Sequence, residues 1–366
     1  MHIAILTLEF PPSGTGGLAT HVAGLVADLR ARGDRVEIFY LGDGPAPAGC
    51  LGLVMPSFAG ASAIAADDLA EAQPLLARHA ADAYDIVHCH DWHGTLLAAS
   101  LWRRGVPLFT TCHLPASDRF HYACALPIGE AAAIQHLAMR LSTRVFAVSE
   151  FVKMELERVY RAFSRKIAVV QNGTDTCFFH GDIARPGDLI LAVGRMTAQK
   201  GFDALPRILP QIRARSPGAR LRLIGAGEDR HALHAGFRRA GVAEHVEILP
   251  FLDQDALRSH YREARVLALP SVYEPFGLVA IEAMACGTPV VAYGAGGPLE
   301  IVTSGVDGIL VPPGDEEGFA HALADLIRDP ALAQELGERA QLTARARFQG
   351  ETCHARIRAL YGHGHD

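Results

Sequence analysis

The chain has 366 residues, of which 49% are hydrophobic, and a formal net charge of −6. Because a single hydrophobic core stops growing near roughly 250–300 residues, this length predicts two cores. The acidic balance disfavours nucleic acids and anionic membrane surfaces as partners, since both attract basic proteins.

Cysteine usage and the N-terminus indicate the compartment. The seven cysteines are scattered and never spaced as C-x-x-C, which favours free thiols in a reducing environment. The segment MHIAILTLEF lacks the charged start and long apolar core of a signal peptide and is typical of a first strand. No apolar run approaches the ~18 residues of a membrane-spanning helix. We therefore predict a cytoplasmic protein without stable membrane insertion.

Short apolar segments alternate with amphipathic ones from the N-terminus onwards, the pattern of a parallel sheet with crossover helices. A helix is predicted over 17–32, ended by Gly33. The predicted strands of this half cover 2–8, 35–41, 85–89, 108–111, 144–148 and 167–170.

A polar segment over 177–189, which contains Pro186 and Gly187, interrupts the alternation and predicts a linker. The alternation then resumes, and the tail over 330–361 has helical periodicity. The predicted strands of this half cover 189–193, 220–224, 246–249, 266–269, 289–292 and 309–311.

These patterns predict an α/β fold with two doubly wound, Rossmann-like domains. The expected domains are 1–180 and 181–345, followed by a helix over 346–366 that could pack back on the first domain. Ligands of doubly wound folds bind at the carboxyl ends of strands, so the cleft between the domains is the expected site.

The segment SVYEPFGLVAIEAMACG, from Ser271 to Gly287, predicts a strand-end loop followed by a helix over 276–286. Pro275 suits the start of that helix, and Gly287 suits the position just after its end. The free N–H groups at such a start favour an anion such as a phosphate, and Gly277 would let the anion approach the backbone. The expected amide donors are Phe276, Gly277, Leu278 and Val279.

Glu282 lies inside this apolar helix, where an unpartnered carboxylate would be costly. Two interpretations stay open. Either an Arg or Lys elsewhere in the chain forms a salt bridge with it, or the hydroxyl groups of a bound sugar donate hydrogen bonds to it.

A second strand-turn-helix segment, LAVGRMTAQKGFDAL, places Arg195 and Lys200 at the end of a predicted strand. Arg can bind two phosphate oxygens, and Lys supplies a compact charge. Alone, the two cations could equally be a solvated surface. Together with the helix start, Glu274 and Glu282, they predict a nucleoside diphosphate site in which Glu282 holds the ribose and Glu274 the group beyond.

These motifs together resemble the retaining glycosyltransferases of family 4. E-P-F-G-L-V-A-I-E, 274–282, is similar to the E-x7-E motif of that family, and G-R-M-T-A-Q-K-G, 194–201, to its diphosphate clamp. N-G-T-D, 172–175, resembles its N-G-x-D, and T-G-G-L, 15–18, its first-loop glycines. HDWHG, 90–94, resembles a segment of the glycogen and starch synthase branch. The matches follow the order of the family and span nearly the whole chain.

The resemblance implies the GT-B fold and a hexosyltransferase that uses a nucleotide diphosphate sugar with retention at the anomeric carbon. The first domain would be the acceptor side, and the second would bind the donor. Arg195, Lys200 and the helix start would stabilise the leaving phosphate, together with the N–H groups of Gly16 and Gly17. No metal ion or other cofactor is therefore expected.

The resemblance also implies roles for single residues. Glu274 would contact hydroxyl groups of the donor sugar, Glu282 the ribose, and His113 would lie close to the transferred sugar. No protein nucleophile is expected, because in front-side attack the leaving phosphate takes the proton of the acceptor. Asp91 is either a contact to an acceptor or sugar hydroxyl or a helix cap at a strand end.

We expect a UDP-sugar as donor and a small soluble acceptor of the kind found in secondary metabolism. A glycogen-type synthase using ADP- or UDP-glucose is the alternative. It is weakened by Gly14, where glucan synthases of this superfamily carry Lys, and by the short chain. The G-G-apolar-P-E segment of the family is Gly-Gly-Pro-Leu-Glu here, at 296–300, which predicts a different loop shape near the diphosphate.

Alternatives from other classes stay open. GTGGLA, 14–19, matches the glycine pattern of a dinucleotide-binding turn, as in an NAD(P)-dependent dehydrogenase, but 9–13 separates it from the first strand. A non-catalytic nucleotide-sugar sensor would have the same fold. The histidine-rich segment 87–93 with His113 lacks the paired spacing of zinc ligands, so we expect no metal there. The terminal HGHD, 363–366, predicts a disordered tail.

Overall fold

The computed structural model describes residues 1–12, 16–42, 45–52, 84–102, 105–116, 128–180 and 187–362. The chain divides into two compact units. Unit 1 takes Met1–Asn172 and the C-terminal segment from Gly350, and unit 2 takes Gly173–Gln349. Gly14 and Thr15 of the first glycine loop, and the HGHD tail, lie outside the described residues.

Unit 1 is built on a parallel sheet that has seven strands in the described ranges. They are β1 (His2–Thr7), β2 (Arg35–Tyr40), β3 (Leu51–Gly52), β4 (Ile86–His90), β5 (Leu108–Cys112), β6 (Arg144–Ala147) and β7 (Ile167–Val169). Their order across the sheet is β3-β2-β1-β4-β5-β6-β7. The chain therefore builds the sheet outwards from β1 and then, from β4, towards the other edge.

Helices cover the sheet of unit 1, so its strands are nearly continuous apolar runs. Val22 and Leu25 belong to the same core as Ile5, and Ile357 of the last helix joins it. Arg358 of that helix also donates from Nε to Asp34 Oδ2 at 2.6 Å. The helices are α1 (Gly17–Ala31), α2 (Thr95–Trp102), α3 (Ile128–Leu141), α4 (Glu150–Val159) and the C-terminal helix (Gly350–Tyr361).

Unit 2 repeats this plan with a second parallel sheet. Its strands are β8 (Leu189–Val193), β9 (Arg220–Ile224), β10 (Val246–Leu249), β11 (Val266–Leu269), β12 (Val290–Tyr293) and β13 (Gly308–Val311). They lie in the order β10-β9-β8-β11-β12-β13. Two doubly wound parallel sheets confirm the predicted α/β fold class.

The helices of unit 2 bury an apolar stripe against this sheet. Ile208 and Leu209, for example, share a core with Phe319 and Leu323. The helices are α5 (Thr176–Phe179), α6 (Leu205–Arg215), α7 (Arg230–Arg239), α8 (Gln254–Glu263), α9 (Leu278–Ala285), α10 (Pro298–Ile301), α11 (Glu316–Arg328) and α12 (Pro330–Arg347).

The division between the units falls before the polar segment that predicts a linker. Asp175 caps α5 by accepting from the amides of Cys177 and Phe178, and Phe179 is buried with its ring 6.0 Å from that of Tyr261. This packing ties 173–180 to unit 2. Unit 2 also ends later than the expected 345, because Thr174 N–H donates to the carbonyl of buried Phe348 at 3.0 Å.

No helix in the described ranges is both long enough and apolar enough to cross a membrane. The longest, α12, has 18 residues and carries charged side chains along its length.

Candidate functional site

The strand-end loops of unit 2 bring Lys200 and Glu274 together, although they lie far apart in sequence. Lys200 Nζ is 2.6 Å from Glu274 Oε2, and Ser271 Oγ donates to the same oxygen at 3.1 Å. The side chains of Lys200 and Glu274 are only 14% and 7% exposed. A nearly buried carboxylate is costly unless it is paired and hydrogen-bonded, and here one ammonium and one hydroxyl meet that need.

A glycine allows the two loops to touch. Gly201 has φ +64°, and a Cβ placed there would lie 2.1 Å from the carbonyl oxygen of Pro270. No other residue fits that turn without moving the loop after β11. Gln199 links the same loops, since its carbonyl accepts from the amide of Val272 at 3.1 Å. The turn therefore fixes the backbone on both sides of Lys200.

Arg195 lies at the end of β8 in an extended loop that continues the pairing of β8 with β9. The amide of Gly194 donates to Ile224 O at 3.0 Å, and that of Met196 to Ala226 O at 2.8 Å. Because side chains alternate along extended backbone, Met196 points into the core while Arg195 is exposed. The structure thus places one predicted cation in an ion pair and the other in solvent.

The helix after Glu274 starts later than its sequence predicts. Gly277 has φ +110° and precedes α9, so Phe276 and Gly277 are not helical. Phe276 is instead buried, with its ring 6.1 Å from that of Phe348. The first intrahelical bond runs from Ala280 N–H to Gly277 O at 2.9 Å. Leu278 and Val279 precede it and are the first-turn amides that this helix offers to an anion.

The glycine pair at 296–297 supports this helix start. Gly297 N–H donates to the carbonyl of Glu274 at 2.8 Å, and a Cβ at Gly297 would lie 2.0 Å from Phe276 O. Pro298 then begins the short helix α10. The loop that the sequence predicted to be unusual therefore buttresses the backbone between Glu274 and α9.

Glu282 is buried in α9, and its described partner is a hydroxyl rather than a cation. Tyr261 of α8 donates to Glu282 Oε2 at 2.8 Å, and no Arg or Lys in the described residues forms an ion pair with it. Burial raises the pKa of Glu282 to about 7, although the Tyr261 bond lowers it. The described residues therefore contain a hydroxyl partner for Glu282 and not the salt bridge. Tyr261 was missed because an amphipathic helix gives no sign of which tyrosine turns inward.

In unit 1, Asp91 holds the backbone that carries His113. Its Oδ1 accepts from the amides of His113 at 2.7 Å and Leu114 at 3.0 Å. Asp91 is buried, with φ +58°, directly after β4. These bonds fix the loop after β5 and do not go to a helix start, so they differ from the helix cap that the sequence left open.

His113 itself lies among other imidazole rings. Its Nε2 is 3.1 Å from Nδ1 of His90, and His21, His88 and His354 complete the group, which we call the imidazole cluster. Burial lowers the pKa of His113 to about 3, so its ring is neutral. No sequence pattern pointed to His21 and His354, which lie on helices near opposite ends of the chain.

The first glycine loop lies close to an acidic side chain. Gly16 precedes α1, and Gly17 is its first residue. A Cβ on Gly16 would lie 2.8 Å from Glu9 Oε2, a buried oxygen with no hydrogen-bond partner among the described residues. Glu9 therefore lies beside the backbone of Gly16, whose N–H group was predicted as a donor to the diphosphate.

Two family models match the chain in succession. The one described as Glycosyltransferase Family 4 matches residues 15–178, and the one described as Glycosyl transferases group 1 matches residues 176–343. Together they cover both units, and both describe sugar-transferring enzymes.

Individual proteins are similar over most of their length. An uncharacterized glycosyltransferase of Methanocaldococcus jannaschii is 32% identical, covering 90% of each chain. An α-maltose-1-phosphate synthase of Mycolicibacterium smegmatis is 31% identical, covering 92% of each. The structure of Anabaena HepE, solved in complex with UDP-glucose, superposes with a TM-score of 0.81 over 99% of each chain at 23% identity.

Proposed function

The chain belongs to glycosyltransferase family 4 and is a hexosyltransferase with the GT-B fold, and we propose that it moves a hexose with retention from a nucleotide diphosphate donor, a UDP-sugar first, to a small soluble acceptor. The ion pair of Lys200 and Glu274 at the strand ends of unit 2 carries this proposal. Family membership removes the dehydrogenase alternative.

The donor diphosphate would bind at the strand ends of unit 2. As the bond from the anomeric carbon to the outer phosphate oxygen breaks, negative charge grows on that phosphate. Lys200 donates one N–H to Glu274, and its two other N–H groups would donate to the phosphate. Arg195 and the amides of Leu278 and Val279 would supply further donors. These groups take the charge, so we propose that the diphosphate needs no divalent metal ion.

The two carboxylates of E-x7-E would hold the sugars of the donor. Both described bonds to Glu274 end on Oε2, which leaves Oε1 to accept from hydroxyl groups of the transferred hexose. Glu282 would accept from the ribose, with Tyr261 fixing its other oxygen. Ribose hydroxyl donors favour the ionised carboxylate, so nucleotide binding would displace the proton that burial retains.

Unit 1 would supply the acceptor side. His113 would contact the transferred sugar, and Asp91 would act as the positioning residue that fixes the backbone of His113. The N–H groups of Gly16 and Gly17 would add donors to the diphosphate. In front-side attack the acceptor oxygen bonds to the anomeric carbon, the donor phosphate leaves, and its oxygen takes the proton of the acceptor.

A glucan-type synthase is the second candidate function. HDWHG, 90–94, resembles that branch, and a relative is named for making α-maltose 1-phosphate. That product is a small phosphorylated sugar, so sugar phosphates belong among the first acceptors to test. Gly14, in place of the lysine of the glucan synthases, favours a small acceptor.

The test is a melting-temperature panel followed by a transfer assay. We expect UDP-glucose and UDP to raise the melting temperature, with smaller shifts for the ADP, GDP and TDP sugars and none for NAD or NADP. Release of UDP would then be measured with free sugars, sugar phosphates, polyols and a soluble glucan. NMR of the product should show the anomeric configuration of the donor. Tight binding without product across the panel would indicate a sensor, and inversion would overturn the mechanism.

A further inference from the structure

The imidazole cluster gathers five histidines in the interior of unit 1. His88 and His90 lie on β4, His113 follows β5, His21 lies on α1 and His354 on the C-terminal helix. Ring centroids are 4.5 Å apart for His88 and His90, and 4.9 Å apart for His21 and His113. His113 is half-buried and the other four are buried, so the polar nitrogens of several rings share one apolar interior.

Hydrogen bonds satisfy only part of this cluster. Both ring nitrogens of His88 have hydrogen-bond partners, because its Nε2 contacts Thr111 Oγ1 and its Nδ1 contacts Tyr361 OH, each at 2.7 Å. In contrast, both nitrogens of His21 and the Nε2 atoms of His90 and His354 are buried without a hydrogen-bond partner among the described residues. Each such atom costs about 1–3 kcal/mol, which a native structure rarely leaves uncompensated.

We propose that His21, His90 and His113 bind one divalent transition-metal ion of the zinc class. One nitrogen from each ring lies within 4.8 Å of the other two. His90 Nδ1 and His113 Nε2 form a hydrogen bond at 3.1 Å, which the ion would replace. A tetrahedral ion with ligand bonds of about 2.0–2.1 Å needs nitrogens roughly 3.3 Å apart, so the His21 ring, unpartnered among the described residues, would have to approach the other two to complete the set.

Burial keeps the rings of the imidazole cluster neutral, which leaves their lone pairs available to a metal ion. Burial and neighbouring histidines lower the pKa values of His21 and His90 well below the usual range, and burial lowers that of His113 to about 3. Unprotonated imidazoles present lone pairs, and a set of imidazoles without thiolates or carboxylates suits Zn²⁺, Cu²⁺ or Ni²⁺ better than Mg²⁺ or Ca²⁺.

His354 is the nearest further ligand. Its ring centroid is 5.6 Å from that of His21, and its Nε2 is buried. Its Nδ1 contacts Asp28 Oδ2 at 2.5 Å, the kind of carboxylate contact that orients metal-binding histidines. Gly24 lets this ring lie against α1, since a Cβ there would be 3.0 Å from His354 Cε1. The ion would thus tie α1, β4 and β5 to the C-terminal helix.

The experiment uses the full-length chain without an affinity tag. After chelation and dialysis, the protein is titrated with Co²⁺ and, separately, with Zn²⁺. We expect one equivalent of either ion to bind, and Co²⁺ to produce the visible absorption bands of a tetrahedral site. A chain that retains no stoichiometric ion and shows no such bands would overturn the proposal.

Matched variants locate the ion. His21→Gln should weaken binding at least ~10-fold, the smallest loss usual even for groups next to a ligand. His321→Gln, an exposed residue of α11, and the tail variant His363→Ala/His365→Ala should bind as the wild type does. If the tail variant loses metal binding and His21→Gln does not, the proposed site is wrong.

If His21→Gln does not fold, crystals of the wild type soaked in ZnCl₂ decide the question. We expect an anomalous peak within bonding distance of His21, His90 and His113. A peak elsewhere only, or no peak, would overturn the proposal. None of these measurements involves a nucleotide, so they stand or fall independently of the transfer reaction.

Discussion

Charged side chains meet at the strand ends of unit 2, whereas neutral rings meet in unit 1. Lys200 and Glu274 form an ion pair at the ends of β8 and β11, and Arg195, also at the end of β8, is exposed. His21 and His90 are buried deeper, and three of their four nitrogens have no hydrogen-bond partner in the described residues. Unit 2 therefore has paired charges at the ends of its strands. Unit 1 has buried ring nitrogens that lack hydrogen-bond partners in the described residues.

The difference predicts opposite ligands. An ammonium near solvent can keep its carboxylate partner and still donate to an anion, so unit 2 suits a diphosphate. The lone pairs of neutral imidazoles can bind a metal ion, so unit 1 suits the cation that we propose there. The variants below test how far each half of this contrast holds.

Replacing Lys200 should have the largest effect on turnover. Lys200→Ala removes the ammonium that we propose stabilises the leaving phosphate and should lower turnover by about 10²–10³-fold. Lys153→Ala, which removes a surface lysine of α4 in a weak pair with Glu150 at 3.7 Å, is the control and should leave turnover unchanged. Turnover is measured as nucleotide release, with circular dichroism to verify the fold. Near-normal turnover in Lys200→Ala would remove the charged edge of unit 2 from the mechanism.

The loop contact that supports this edge can be broken without touching a charge. Gly201→Ala combines a positive φ with a clash against Pro270 O and should destabilise unit 2 by about 1–3 kcal/mol beyond the cost of φ alone. Gly241→Ala is the matched control, because Gly241 has nearly the same φ, +68°, and nothing within 4 Å of an added Cβ. Calorimetry compares the two variants. Equal decreases in the free energy of unfolding would show that the contact between the two loops does not contribute to stability.

Sequence patterns located the strands well, because strands buried on both faces are continuous apolar runs. The predicted strands 189–193 and 266–269 match β8 and β11. The motifs also named Lys200 and Glu274, but their contact depends on β8 and β11 being neighbours in the sheet, which no local pattern states. The GT-B prediction came from motif order and is confirmed by the family matches and the fold.

Features made by long-range packing could not be predicted. Pro275 suggested a helix start, yet burial of Phe276 and the left-handed Gly277 delay the helix to Leu278. His21 and His354 meet only because the last helix returns to α1. A histidine inside an amphipathic helix gives no sign of which partner will bury it.

Glu282 tests whether a buried carboxylate of unit 2 is neutral, as the buried imidazoles of unit 1 are. Its pKa of about 7 exceeds the ordinary 4.5, so the folded chain retains a proton that the unfolded chain releases between these values. The stability contributed by this group is therefore full below pH 4.5 and falls as the pH rises to 7. Glu282→Gln should thus match the wild type near pH 4 and be more stable by about 3 kcal/mol at pH 8.

The pH series has a clear control and a functional counterpart. Glu338→Gln alters an exposed carboxylate of α12 and should show no pH-dependent difference from the wild type by calorimetry. If Glu282→Gln, like Glu338→Gln, shows no pH-dependent difference in stability from the wild type, the buried carboxylate is not protonated in the folded chain. In the wild type, affinity for UDP should rise as the pH passes 7, because the ribose contact needs the ionised carboxylate.

Asp91 should show the smallest effect, and it separates a cap from a substrate contact. Asn keeps an Oδ1 acceptor for the amides of His113 and Leu114 and tolerates φ +58°, so Asp91→Asn should lose less than about 1 kcal/mol of stability. Its turnover should stay close to that of the wild type. Asp91→Ala removes both bonds and should lower the melting temperature and the turnover together. If Asp91→Asn folds normally but transfers slowly, the charge itself meets an acceptor or sugar hydroxyl, and unit 1 then contributes an ionised group as unit 2 does.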